Sequence, residues 1–178
     1  MTRKIILNLA ISLDGYICDE DGGFDWIVGQ GDESSNMGSV LDFKEFIDTC
    51  DTVVFGRKAY EDNPEEGFDM IKDKRLVVVS NSIKSDSRFN TEFISGDIVN
   101  KILEIKREQG KNIWLFGGAN LTDIFIKSDI IDEYIIGIIP CILGKGRKLF
   151  LDNNPTIKLQ VQQCGVTDGI IMIRYSKR

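Results

Sequence analysis

The chain has 178 residues, with 22 Lys and Arg against 28 Asp and Glu and no histidine. That length sets an expectation of one domain over residues 1–178 with room for a full core, and an apolar share of 42% is that of a folded globular chain. Without histidine there is no Ser-His-Asp or Cys-His nucleophile system, no His-ligated zinc and no imidazole switch. A net charge of −6 argues against a nucleic-acid partner, because no broad basic field exists to displace counterions.

Cys18, Cys50, Cys141 and Cys164 form no C-x-x-C pair, so neither a metal cluster nor a redox motif is expected. They read as small apolar residues in a reducing cytoplasm. Arg3 and Lys4 before an apolar run imitate a secretion signal, but Asn8 interrupts the run, Asp14 ends it, and no small-residue cleavage site follows. No stretch approaches the roughly 20 apolar residues of a membrane span.

Residues 4–11 (KIILNLAI) predict a buried strand, followed by a glycine- and acid-rich loop over 13–27 that reads as a mobile functional segment. Residues 32–35 offer helix N-caps ahead of a helical stripe at Val40, Phe43, Phe46, Ile47 and Cys50. Residues 52–55 form the next strand, 58–62 a short helix stopped by Pro64, 75–80 (RLVVVS) a buried strand and 91–95 a weaker one. An amphipathic helix over 97–109, capped by Asp97 and stopped by Gly110, precedes strand 112–116, helix 118–127 and strand 133–139. Residues 158–164 and 170–175, around Thr-Asp-Gly, read as a hairpin. Strand–helix alternation that ends in a hairpin predicts an α/β three-layer sandwich, its mixed sheet mostly parallel with an antiparallel C-terminal hairpin and helices on both sides.

Two junctions echo each other: DTVVFGRKAYED over 51–62 and NIWLFGGANLTD over 112–123. Each is a buried strand that ends in Phe-Gly and passes straight into a helix, whose free N–H groups suit an anion. Gly56 and Gly117-Gly118 would either admit the two ends of a diphosphate-linked cofactor, with Arg57 adding a charged fork, or simply permit tight turns. Ser80-Asn81-Ser82 would either bind a ribose phosphate or form an ordinary turn. Asp32, after Trp26, would either cap a helix or polarise a substrate ring.

SLDGYI (12–17), FDWI (24–27), VVFGRKAYE (53–61), VVVSNS (77–82) and FGGANL (116–121), in this order, resemble the dihydrofolate reductase superfamily. SLDG, the Gly-Gly turn and the segment 130–146 are similar to the reductase domain of the riboflavin-pathway deaminase–reductase, in the form that stands alone in bacteria. The resemblance implies a cytoplasmic, homodimeric, NADPH-dependent reductase with the cofactor across the carboxyl ends of the strands. Ala10 and Ile17 would line the nicotinamide, and Trp26 would belong to the loop that closes over it. Gly56, Arg57, Lys58 and Ala59 would hold the diphosphate and 2′-phosphate, with Ser80, Asn81 and Ser82 near the adenosine phosphate. Phe116, Gly117, Gly118, Ala119, Asn120 and Leu121 would form the second phosphate turn, with the Gly-Gly bond cis as in dihydrofolate reductases.

The departures concern the acceptor. The lysine usual after SLDG in the riboflavin-pathway domain is replaced by Tyr16, and the glutamate usual before Gly-Gly by Phe116. The acid of dihydrofolate reductases falls on Gly31, with Asp32 one residue later. No H-x-E or P-C-x-x-C segment of the deaminase half occurs. The leading expectation is hydride transfer to a small pyrimidine- or pteridine-like molecule, without metal. Dihydrofolate reduction through Asp32 is one alternative, and an NADP-binding module without chemistry is another.

Overall fold

The computed structural model describes residues 2–38, 42–83, 85 and 90–178. Its centre is β1 (Ile5–Ser12), flanked in parallel by β7 (Asn112–Gly117) and β8 (Glu133–Ile139). Beyond β7 the sheet continues in parallel through β4 (Cys50–Gly56), β5 (Arg75–Val79) and β6 (Thr91–Ile94). Beyond β8 it turns antiparallel through β11 (Ile170–Lys177), β10 (Leu159–Thr167) and the short β3 (Met37–Gly38). Among the described residues these nine strands form one sheet, in the order β3-β10-β11-β8-β1-β7-β4-β5-β6.

The central strands are apolar throughout because both faces are covered. Ile5, Leu7, Val54, Val77, Ile113 and Leu115 pack with α3 (Ile98–Arg107) and α4 (Ala119–Lys127). The alternate residues Ile6, Val53, Phe55, Leu76, Val78 and Trp114 pack with α1 (Phe43–Asp48) and α2 (Arg57–Glu61) on the other side. The steps β1 to β4 and β4 to β5 run toward one edge, and the steps β6 to β7 and β7 to β8 run back. Right-handed crossovers then place α1 and α2 on one face and α3 and α4 on the other, which produces the expected three layers.

Local departures from expectation have local causes. Asp32 caps a separate 3-10 turn, Glu33–Ser35, while α1 takes its cap from Asp42, whose carboxylate accepts from Lys44 N and Glu45 N. Cys50, read as the end of that helix, instead begins β4 after a turn at Thr49, and Val40 lies outside the described residues. The loop 13–27 contains β2 (Tyr16–Cys18), paired antiparallel with β9 (Arg147–Lys148). The hairpin turn forms at Asp168 and Gly169, both at positive φ (50° and 75°), as a two-residue connection of this hand requires.

Glu133, 4% exposed at the start of β8, receives Lys4 Nζ from one side and Arg174 Nη2, at 2.7 Å, from the other. Burial pushes its carboxyl pKa up, but the hydrogen bonds from Lys4 and Arg174 outweigh that and hold it below the usual glutamate value.

Candidate active site

The two Phe-Gly junctions meet at the carboxyl edge of the sheet, where β4 and β7 are neighbours. A side chain on Gly56 would begin 3.4 Å from Gly117 O and 3.6 Å from Leu121 Cβ, so the two junctions lie directly against each other. Gly117 has φ 111°, a conformation that L side chains rarely adopt, and the Gly117–Gly118 peptide bond is cis. Gly118 occupies the N-cap of α4 with no side chain to accept from the first turn, so the backbone donors of that turn stay available to a ligand.

The elements around this point enclose a cleft of about 1210 Å³. Ala10, Ile17, Gly56, Arg57, Lys58, Ala59, Ser80, Asn81, Ser82, Phe116, Gly118, Ala119, Asn120 and Leu121 all line it. Ser80 is buried and its hydroxyl accepts from Ile83 N at 2.9 Å and Ser82 N at 3.2 Å. It therefore builds the turn that presents Asn81 and Ser82 to the cleft. Arg57 pairs with Glu61 one helical turn on, Nη1–Oε2 2.6 Å.

Three sequence-derived residues sit elsewhere. Gly117 shapes the turn without lining the cleft, and Trp26 turns back to donate from Nε1 to Gly23 O at 3.3 Å, leaving Phe24 and Ile27 to reach the cleft from its loop. Asp32 is exposed and outside the lining. Its carboxylate accepts from the hydroxyl and backbone N–H of Ser34, which lowers its pKa, and its own N–H donates to Asp168 at 3.0 Å. The structure therefore assigns Asp32 to a cap and brings it to no ring-polarising position.

The loop is tied down at its base. Asp14 accepts from Ser12 Oγ at 2.6 Å, Gly144 N at 2.7 Å and Leu143 N at 3.1 Å, and its pKa is lowered chiefly by the Ser12 hydroxyl. Gly15 O accepts from Leu149 N, and β2 pairs with β9.

Sequence reasoning missed most of the other half of the cleft. Beside the expected Ala10 and Phe116, Asn8 of β1, Gly137 of β8, Met172 of β11 and the rings of Trp114 and Phe43 line one face of the sheet there, while Arg147 lies at the rim, 3.5 Å from Asp62. Two signals were present: Asn8 interrupts KIILNLAI, and Gly137 interrupts EYIIGII. A polar residue or glycine inside a buried strand often marks a close approach by something else.

A dinucleotide fits the first half. The Gly56–Gly118 contact leaves a cradle without side chains, α4 leaves its first turn uncapped, and Arg57 and Lys58 supply positive charge. Among the described residues, no group of three or more His, Cys, Asp or Glu side chains could hold a metal ion, and no helix is long and apolar enough to cross a membrane.

Residues 3–171 match the family described as the RibD C-terminal domain. YwjB of Bacillus subtilis (strain 168), an uncharacterized protein, is 37% identical over 182 residues covering 98% of each chain. YyaP of the same organism, also uncharacterized, is 31% identical over 186 residues, 97% of this chain and 94% of its own. A Shewanella sp. PV-4 structure, assigned provisionally to riboflavin biosynthesis, superposes with TM-score 0.83 at 24% identity over 98% of this chain and 99% of that one. The diaminohydroxyphosphoribosylaminopyrimidine deaminase/5-amino-6-(5-phosphoribosylamino)uracil reductase of Thermotoga maritima superposes with TM-score 0.70 at 20% identity, covering 99% of this chain and 57% of that one. At these identities the two structures establish the shared fold alone.

Proposed function

The chain belongs to the RibD C-terminal domain family, and from that premise we propose that it is an NADPH-dependent reductase acting on a small pyrimidine-like ring. The observation that carries this reading is the continuity of one cleft from the glycine cradle at Gly56 and Gly118 to the face of the sheet at Ala10 and Gly137. When bound, NADPH supplies the hydride. The protein's own task is to hold, orient and exclude water. In this reading the α4 N-terminus and Gly118 receive the diphosphate, Arg57 and Lys58 the 2′-phosphate, and Asn81 and Ser82 the adenosine side. Ala10 and Ile17 bound the nicotinamide, and the loop carrying Phe24 and Ile27 covers the reacting atoms.

Four free thiols fit a reducing cytoplasm, and a homodimer is carried over from the family resemblance. Titration with NADPH and with NADH, followed by nicotinamide fluorescence, tests the reading. NADPH should bind at micromolar concentration and NADH about tenfold more weakly, because a 2′-phosphate contact with arginine is charge-assisted. No binding of either nucleotide overturns the proposal. Binding without turnover of any pyrimidine acceptor would instead favour a nucleotide-binding module.

A further inference from the structure

One helix starts at each half of the cleft, and the two starts differ. α4 leaves its first turn open, whereas α1 is closed by Asp42, whose carboxylate accepts from Lys44 N at 2.8 Å and Glu45 N at 3.1 Å. Two early backbone donors of α1 are thus taken, and a negative charge stands next in the chain to Phe43, which lines the cleft. Among the described residues, the charged side chains of the lining are Arg57, Lys58, Asp62 and Arg147. Arg57 and Lys58 follow Gly56 at the cradle, while Asp62 and Arg147 offset each other at the rim. The half away from the cradle holds no unpaired cation for an anionic group.

What lines that half is apolar. Phe43 packs edge-on against Trp114, with centroids 5.5 Å apart and planes at 83°, and Trp114 meets Phe116 at 5.1 Å. The three rings make a continuous wall from α1 onto β7. Phe24 and Ile27 approach from the loop. Phe43 is 47% exposed, Phe24 42% and Ile27 39%, yet all three line the cleft. Their open surface is therefore gathered around one cavity, where an apolar occupant would release the water that covers it.

We propose that this half of the cleft is a subsite for an uncharged aromatic substituent on the acceptor, which carries no phosphate there. A phosphate set among Phe43, Trp114 and Ile27 would lose water without gaining a cation, and the nearest charged group along the chain, Asp42, would repel it. A phenyl-sized group instead displaces water from three rings and can meet Phe43 or Trp114 edge-to-face or offset. The cleft then sorts its ligands by charge: anionic groups at the glycine cradle, an apolar group at Phe43. The inference rests on the reductase reading for what happens to the acceptor, but the sorting itself needs no reaction.

The test compares calorimetric affinities of the full chain for 1-benzyluracil and uridine 5′-monophosphate, which share a ring and differ in what it carries. Excess NADP⁺ is present so that the cradle is closed to the nucleotide's phosphate, and NADPH binding is measured separately. The wild-type chain should prefer 1-benzyluracil by about tenfold or more, the worth of one buried aromatic group. Phe43→Ala should weaken 1-benzyluracil by about tenfold and leave the nucleotide unchanged, and Phe43→Lys should bring the two ligands within about twofold of each other. NADPH affinity within about twofold of wild type reports that each variant is folded. Equal or tighter binding of the nucleotide by the wild type, no binding of 1-benzyluracil, or a preference unchanged in both variants overturns the subsite. A chain that ignores NADPH yet shows the preference and its loss supports the subsite and overturns the reductase reading.

Discussion

The two Phe-Gly junctions look alike in sequence and are built for different reasons. At the first, Gly56 has φ −73°, open to any residue, and the only crowding on a side chain there comes from Gly117 O and Leu121. At the second, Gly117 has φ 111°, which demands glycine whatever the surroundings. The helices they feed differ too: α2 has five residues and packs on the α1 face, while α4 has nine and packs on the opposite face. Similar strand-to-helix spelling thus yields one junction made by backbone conformation and one made by proximity, and the cleft exists where they touch.

Substitution separates the two reasons. Gly117→Ala should lower stability by about 1–3 kcal/mol, because the backbone must hold a side chain at positive φ, and should depress NADPH affinity through the displaced turn. Gly56→Ala should leave stability within about 1 kcal/mol, since its φ suits alanine and the nearest contact is tight but tolerable. It should still weaken NADPH by filling the cradle. Denaturant melts beside fluorescence titrations check both, and equal stability losses at the two glycines would break the distinction.

Glu133 provides a reference remote from both junctions. Glu133→Gln should cost about 1–3 kcal/mol at neutral pH while leaving NADPH binding alone, because Arg174 and Lys4 lose a nearly buried partner. The folded carboxyl is held below the ordinary glutamate value of 4.5, so this stabilisation is fully present above that value and is lost as pH falls through the depressed folded pKa. Melting curves of wild type and variant should therefore converge in acid; a gap that persists there would contradict the ion-pair origin.

Smaller effects follow at the first junction and beyond the cleft. Arg57→Ala should reduce the NADPH-to-NADH affinity ratio by about tenfold with little change in Tm, since its pair with Glu61 is exposed and contributes little to stability. An unaltered ratio would remove its phosphate contact. Asp32→Asn should leave turnover unchanged, because its carboxylate is spent on Ser34; a strong fall in turnover would restore a chemical role to this acid.

Much of the fold was legible because its signals are local. Arg75–Val79, Asn112–Gly117 and Glu133–Ile139 are apolar runs bounded by breakers, and Asp97 caps α3 through Asn100 N as its spacing suggests. The α1 boundary was less legible because Asp32 and Asp42 are both good caps, and which helix each starts depends on the chain path between them. The half of the cleft proposed for the cofactor was legible because its residues cluster in short segments at strand ends. The half proposed for the acceptor was not: Asn8, Phe43, Gly137 and Met172 come from four separated elements.

Composition alone removed histidine chemistry from this protein, and local pattern alone determined its longer strands, most of its helices and the two glycine turns. The acidic total does not oppose the proposed phosphate-rich ligand, because the charge that matters there is local: Arg57, Lys58 and the uncapped start of α4. Only the tertiary structure decided that Gly56 abuts Gly117, that Asp32 is a cap, and that Asn8, Gly137 and Met172 line the same cleft. The physical reason is range: hydrogen-bonded periodicity acts over a few residues, whereas a binding surface is made by strands whose order in the sheet differs from their order in the chain.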